Sequence, residues 1–188
     1  MPIRNTTERW GWVSLSIHWL TVAMVLGLVA VGLLMQELPN SPTKIQVYNL
    51  HKSFGLTVLA LTVLRLLWRL FAGTPAPVAG TPAWQRFAAQ ASHGALYVIL
   101  LAMPLSGWLY NSASGFPLKW FGLFGLPKLS AYDPDVKAFA LSMHEWLFYA
   151  LVLIVLVHAS AAFKHHYFDR DATLARMTPG LKPPADAP

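Results

Sequence analysis

The sequence contains no cysteine. That single absence excludes disulfides, thiolate-held zinc, iron–sulfur clusters and covalently attached c-type haem. Charge is also scarce: Asp, Glu, Lys and Arg make up 12% of the 188 residues, against 55% hydrophobic residues. An ordinary soluble domain carries about twice that share of charge, and the mean hydropathy here is +0.46. Acids are the scarcer sign, eight against fourteen bases, for a net charge of +6. No basic motif accompanies that excess, so no nucleic acid partner is implied. What remains for metal or redox chemistry is a set of seven histidines.

Long apolar runs, by contrast, are abundant. Four of them, at about 12–35, 50–71, 87–110 and 143–163, reach the roughly 20 residues needed to cross a bilayer. The length of the chain suits one domain. These features predict an all-α, integral membrane four-helix bundle in a single domain over 1–188, with helices at about 10–36, 42–71, 82–110 and 134–168. Residues 179–188 are expected to be a disordered tail. Three helices carry the same start signal, a capping residue before proline: Ser41-Pro42, Thr81-Pro82 and Asp133-Pro134. The first run is too long for the apolar region of a signal peptide and holds a candidate ligand, so it is expected to stay.

Orientation follows from the bases. Arg4, Arg9, Arg65, Arg69, Arg86, Lys164, Arg170, Arg176 and Lys182 fall on one side; Lys44, Lys52, Lys119, Lys128 and Lys137 fall on the other. Nine against five predicts both termini in the cytoplasm. The proline-rich Thr74–Pro82 stretch is then an inner link. Residues 111–132 are an outer connection whose Trp120, Phe121 and Phe124 suit an interfacial lid.

His144 and His158 bracket the last apolar run, fourteen residues apart. In a helix that step is about 21 Å of rise and about 1,400° of turn, so both imidazoles leave nearly one face. Two such ligands, near opposite sides of a membrane, suit two stacked cofactors. Depth then assigns partners: His51 with His144 around an outer haem, His18 with His158 around an inner one. Bis-histidine ligation leaves iron no open position, which favours electron transfer over oxygen binding.

The same step carries His18 to Gly32, His51 to Arg65 and His93 to Gly107. A glycine opposite a haem leaves room for the macrocycle, although both glycines also suit plain helix packing. Arg65, facing inward, has a haem propionate as its natural partner, and Arg69 a propionate or a lipid phosphate; snorkelling of Arg65 to the interface is the competing reading. His93 admits three roles: an alternative inner ligand, a quinone or propionate contact, or a structural group. His165, seven residues past His158, continues that helix face about 10 Å further inward. There it suits a quinone headgroup, or else simply a solvated basic helix end. Lys52, Lys119, Lys128 and Lys137 are candidates for attracting an anion to the outer side, or ordinary solvated charges.

With Ser16-Ile17-His18-Trp19-Leu20, the His144/His158 spacing and the run from His165-His166-Tyr167-Phe168 to Met177 in view, the chain resembles the bacterial di-haem cytochrome b561 family. The likeness covers roughly residues 10–178 and is greatest to the short stand-alone members called superoxide oxidase. The resemblance implies two b haems ligated by His18, His51, His144 and His158, and a quinone contact at His165. It implies a superoxide:ubiquinone oxidoreductase, taking electrons from periplasmic superoxide through the outer and then the inner haem to ubiquinone. The alternative is a cytochrome b electron-transfer subunit, relaying electrons to quinone from a hydrogenase, a dehydrogenase or a small periplasmic carrier.

Overall fold

The computed structural model describes residues 2–185; residues 186–188 of the expected tail lie outside it. The chain forms α1 (Trp12–Glu37), α2 (Pro42–Ala72), α3 (Ala83–Ala113), the strands β1 (Leu118–Trp120) and β2 (Phe124–Leu126), and α4 (Pro134–Tyr167). All four helices are long and apolar enough to cross a membrane, with mean hydropathies of 2.2, 1.7, 1.3 and 2.2 over their most apolar stretches. Their outer faces carry large exposed apolar side chains, Leu70 and Phe71 above 80% exposure, as lipid contact requires and water contact does not.

The starts of the helices are written in local chemistry, with one exception. Asp133 accepts hydrogen bonds from the Asp135 and Val136 amides at 2.9 and 3.1 Å, and Ser41 accepts one from Lys44 at 3.2 Å. Each thereby satisfies amides that a helix end leaves without a partner. Thr81 does not cap. Its hydroxyl turns back to the Val78 carbonyl at 2.8 Å, and the Pro82 carbonyl accepts the first bonds of α3 instead. At the other ends, Lys44 Nζ donates to the carbonyls of Gln36, in the last turn of α1, and of Leu38, just past it, and Gly73 closes α2 in a left-handed conformation, φ 69°. Asp133→Ala should cost about 1 kcal/mol, read as a lower unfolding midpoint of detergent-solubilised protein followed by circular dichroism.

The chain divides into two compact units. The first comprises Met1–Trp19, Leu64–Val98 and Ala150–Pro188. In it the N-terminal segment folds over the start of α1: Trp12 N donates to the Pro2 carbonyl at 3.0 Å, and Asn5 Oδ1 accepts from Gly11 N and Ser14 Oγ at 2.9 and 2.7 Å. Gly11 is required by that crossing, because a Cβ there would stand 2.5 Å from the Ile3 carbonyl oxygen. The segment after α4 is fastened too, by Trp19 Nε1 donating to the Met177 carbonyl at 2.7 Å and Arg176 Nη1 to the Ala76 carbonyl at 2.9 Å.

The second unit comprises Leu20–Val63 and Ile99–Tyr149. The stretch expected as a lid divides here. Its first residues prolong α3, and the rest is an antiparallel hairpin pairing Leu118 with Leu126 and Trp120 with Phe124. Phe121 and Gly122 turn it with positive φ, 46° and 75°. For Phe121 that conformation costs about 1–2 kcal/mol. Its amide donates to Ser53 Oγ at 3.0 Å and its ring packs on Phe54 at 5.0 Å, which offset the strain. Trp120 Nε1 donates to Thr57 Oγ1 at 3.0 Å. The interior is small and hydroxyl-bearing: the largest fully buried side chains of the described residues are Thr62, Ser53 and Ser112.

Candidate functional site

Each unit brings imidazoles from different helices together, and the first unit adds a third ring, His93. In the second unit α2 presents His51 and α4 presents His144, with ring centres 6.4 Å apart and planes at 68°. In the first unit α1 presents His18 and α4 presents His158, at 6.5 Å and 73°. Two imidazoles sharing one iron, each bound at about 2.0–2.1 Å as is usual for imidazole on a first-row metal, bring their ring centres to roughly 6.3 Å. Both separations therefore fit bis-histidine ligation. His93 on α3 stands only 5.3 Å from His158, about an ångström too close to share an iron with it on the same arithmetic.

The hydrogen bonds at His144 determine its tautomer. Nδ1 lies 3.1 Å from the Met103 carbonyl and 3.0 Å from Ser106 Oγ, and Ser106 spends its own proton on that carbonyl at 2.7 Å. A carbonyl only accepts, so Nδ1 carries the hydrogen and Nε2 keeps its lone pair, the form a metal ligand needs. His51 Nδ1 is buried with no hydrogen-bond partner, as are Ser92 Oγ, His166 Nδ1 and Thr178 Oγ1; of these only His51 belongs to a facing imidazole pair. Gly32 and Gly107 face these rings: a Cβ would come within 3.3 Å of His51 Cε1 and 3.4 Å of His144 Cε1. The glycines thus make room for the imidazoles themselves, a closer approach than the expected clearance for a macrocycle. Paired imidazoles, an orphaned ring nitrogen, glycine cradles and an interior lined by hydroxyls fit a bis-histidine haem.

The first unit fits on separation but differs in its hydrogen bonding. Arg65 Nη1 lies 3.0 Å from His18 Nδ1. A guanidinium only donates, so this contact makes Nδ1 the acceptor and puts the ring proton on Nε2. Ligation through Nε2 requires Arg65 to leave, and an anionic group gives it a stronger partner than a neutral imidazole. Arg65 and Arg69 both lie over the Tyr97 ring, at 5.8 and 5.9 Å from its centre, so the two guanidiniums are gathered on one side of the pair. Composition and spacing carry no signal for Tyr97 or for the Arg65–His18 contact.

The four outer lysines are not brought together as a cluster by any contact among the described residues. Lys52, half-buried, donates to Asn111 Oδ1 at 3.2 Å. Lys119 is exposed, Lys128 reaches the Gly115 carbonyl at 3.4 Å, and Lys137 lies over the Tyr110 ring at 5.9 Å. His165, at the end of α4, meets Asp171 Oδ2 at 2.6 Å through Nδ1, with Asp169 at 3.3 Å. Neither aspartate was expected from the spacing of the histidines, since both follow the helix.

The prokaryotic cytochrome b561 family model matches residues 9–180. Cytochrome b561 homolog 2 of Escherichia coli K12 is 38% identical over 184 residues, covering 94% of this chain and 95% of that protein. Cytochrome b561 homolog 1 of the same organism is 31% identical over 176 residues, covering 93% and 99%. A probable superoxide oxidase, CybB, of Yersinia pestis is 29% identical over 176 residues, covering 92% and 97%.

Proposed function

Because the chain belongs to the prokaryotic cytochrome b561 family, membrane electron-transfer proteins that bind b-type haem, we propose that it carries electrons from superoxide, outside the bacterial inner membrane, to ubiquinone on the cytoplasmic side. It is a multi-pass bacterial membrane protein, and the excess of Lys and Arg on one side supports both termini being cytoplasmic. The observation that carries the reading is the two imidazole pairs at 6.4 and 6.5 Å, both in apolar helices. Two b-type haems, one at His51 and His144 and one at His18 and His158, supply a one-electron relay when bound.

The chain's own residues take the remaining roles. His144, its tautomer fixed by Met103 and Ser106, presents Nε2, and His51 faces it. Arg65 and Arg69 would neutralise haem carboxylates; with Arg65 so engaged, His18 Nδ1 would be free to take the ring proton and leave Nε2 its lone pair. Lys52, Lys119, Lys128 and Lys137 raise the local concentration of a small anion at the outer surface. His165 contacts the quinone, and His93 supports the inner pair from beside His158. The Yersinia relative's name, probable superoxide oxidase, supports the superoxide step.

A second reading is favoured by the Escherichia coli relatives, which bear only the cytochrome b561 name: an electron-transfer subunit relaying electrons from a redox partner to quinone. A superoxide pulse on oxidised, haem-loaded protein, followed in the haem α-band by stopped flow, separates the two. Fast reduction, with reoxidation only when quinone is added, is expected. Reduction by dithionite or quinol but not by superoxide would turn the reading to the subunit.

A further inference from the structure

Taking His165 as the quinone contact proposed above, we propose that Asp171 is its positioning residue: a buried carboxylate that holds Nδ1–H and so reserves Nε2 for proton exchange with the quinone. The geometry begins where α4 ends. Arg170 adopts a left-handed conformation, φ 52°, which turns the chain back on itself. Asp171 N then donates to the His165 carbonyl at 3.0 Å, and Asp171 Oδ2 meets His165 Nδ1 at 2.6 Å. The other carboxylate oxygen, Oδ1, accepts from Thr173 N at 2.8 Å. Both oxygens are therefore committed, on a residue only 7% exposed.

Asp169 is the obvious competitor, 3.3 Å from the same nitrogen. It is already engaged by Lys164 Nζ at 2.6 Å and is the more exposed of the two acids. Among the described residues, the carboxylates that meet the ring are Asp171 and Asp169, the latter held by Lys164. Asp171 is tied before and after: its own amide bonds the His165 carbonyl, Thr173 N bonds its carboxylate, and the Trp19–Met177 and Arg176–Ala76 bonds fasten the segment beyond. Burial alone would raise the Asp171 pKa. Hydrogen bonds from Thr173 and then from His165 outweigh it and hold the carboxyl below the usual range. The carboxylate form therefore persists at neutral pH and is lost only as pH falls through that depressed value.

The chemistry follows from which nitrogen is committed. A carboxylate accepts, so the Nδ1 proton stays in place throughout. A quinone that has taken two electrons binds two protons. For each of the two, Nε2 takes a proton from cytoplasmic-side water and then gives it to a quinone oxygen, returning to its lone-pair form. Asp171 keeps the ring oriented while this happens, and without it the imidazole rotates and samples both tautomers.

The test uses haem-loaded protein reduced with dithionite and reoxidised by a short-chain ubiquinone, so it does not depend on the superoxide step. Asp171→Asn should slow reoxidation by about 10–100-fold, the usual effect of losing an orienting partner, with haem content unchanged. Asp171→Glu should restore part of the rate. His165→Gln should slow it comparably, and the double variant should be no slower than either single one, because the pair acts as a unit. A ¹⁵N-histidine NMR spectrum of the unaltered protein should show His165 as the Nδ1–H tautomer, and that of Asp171→Asn a mixture. A slow His165→Gln beside a normal Asp171→Asn overturns the dyad and leaves the quinone reading standing. A normal His165→Gln overturns both. An Nε2–H tautomer in the unaltered protein overturns the dyad without any variant.

Discussion

His158→Ala is expected to lose roughly half of the bound haem, the inner one, while the haem at His51 and His144 stays. The pyridine haemochrome assay per polypeptide reads the loss, and the redox titration of the α-band should lose one of its two components. The reason is local. His18 and His158 stand 6.5 Å apart within one unit, and the second pair stands 6.4 Å apart within the other. On the proposed ligation each site would have its own two imidazoles, so removing one would leave a single histidine ligand at one site only. Companion variants decide the part of His93. At 5.3 Å from His158 it is too close to share an iron, so His18→Ala should cost the same haem and His93→Ala should spare it. Loss of the other haem in His158→Ala would invert the assignment. Haem loss in His93→Ala with retention in His18→Ala would replace His18 by His93 as ligand.

The second large effect is expected at a residue that touches nothing catalytic. Gly107→Leu should abolish haem binding at the His51/His144 site while leaving the other, and Gly107→Ala should reduce it only mildly. A Cβ at Gly107 would stand 3.4 Å from His144 Cε1 and 3.5 Å from Nδ1, close to ordinary contact, so alanine asks for a small adjustment. Leucine adds atoms directly where the ring lies. Such overpacking costs about 1–3 kcal/mol where the structure yields, and here the group that yields is His144. Its ring would swing off the Met103 carbonyl, losing the bond that keeps Nε2 unprotonated. Haem content against the degree of bulk at this position is the measurement. Equal loading in Gly107→Leu and the unaltered protein would show that His144 has freedom to move without consequence.

How much of this was legible in the sequence depends on range. The four membrane helices were readable because each is a continuous apolar run, a signal that needs no knowledge of neighbours. The companionship of His51 with His144 and of His18 with His158 was readable because helical rise converts spacing into depth. Thr81 illustrates where a local signal is ambiguous: a hydroxyl before proline can cap forward or bond backward, and here Val78 offers its carbonyl first. The contacts that tune the site were not legible. Arg65 had a haem propionate as its expected partner, and its bond to His18 depends on side-chain rotamers across two helices. The Met103 carbonyl is a backbone atom with no residue-type signature. Asp171 reaches His165 only because Arg170 takes a left-handed turn, which nothing about arginine advertises. The hairpin after α3 has strands of three residues, too short for any alternation to register.

Helix α4 supplies one imidazole to both pairs, His144 to one and His158 to the other. Insertion into a membrane proceeds along the chain, so α1, α2 and α3 arrive with His18, His51 and His93 and no complete pair among the proposed ligands. Neither site closes until the last helix is threaded. On the proposed ligation, haem capture would therefore be a late event in biogenesis, after α1, α2 and α3 are already in the bilayer. A chain stalled or cleaved before α4 would be colourless rather than half-loaded.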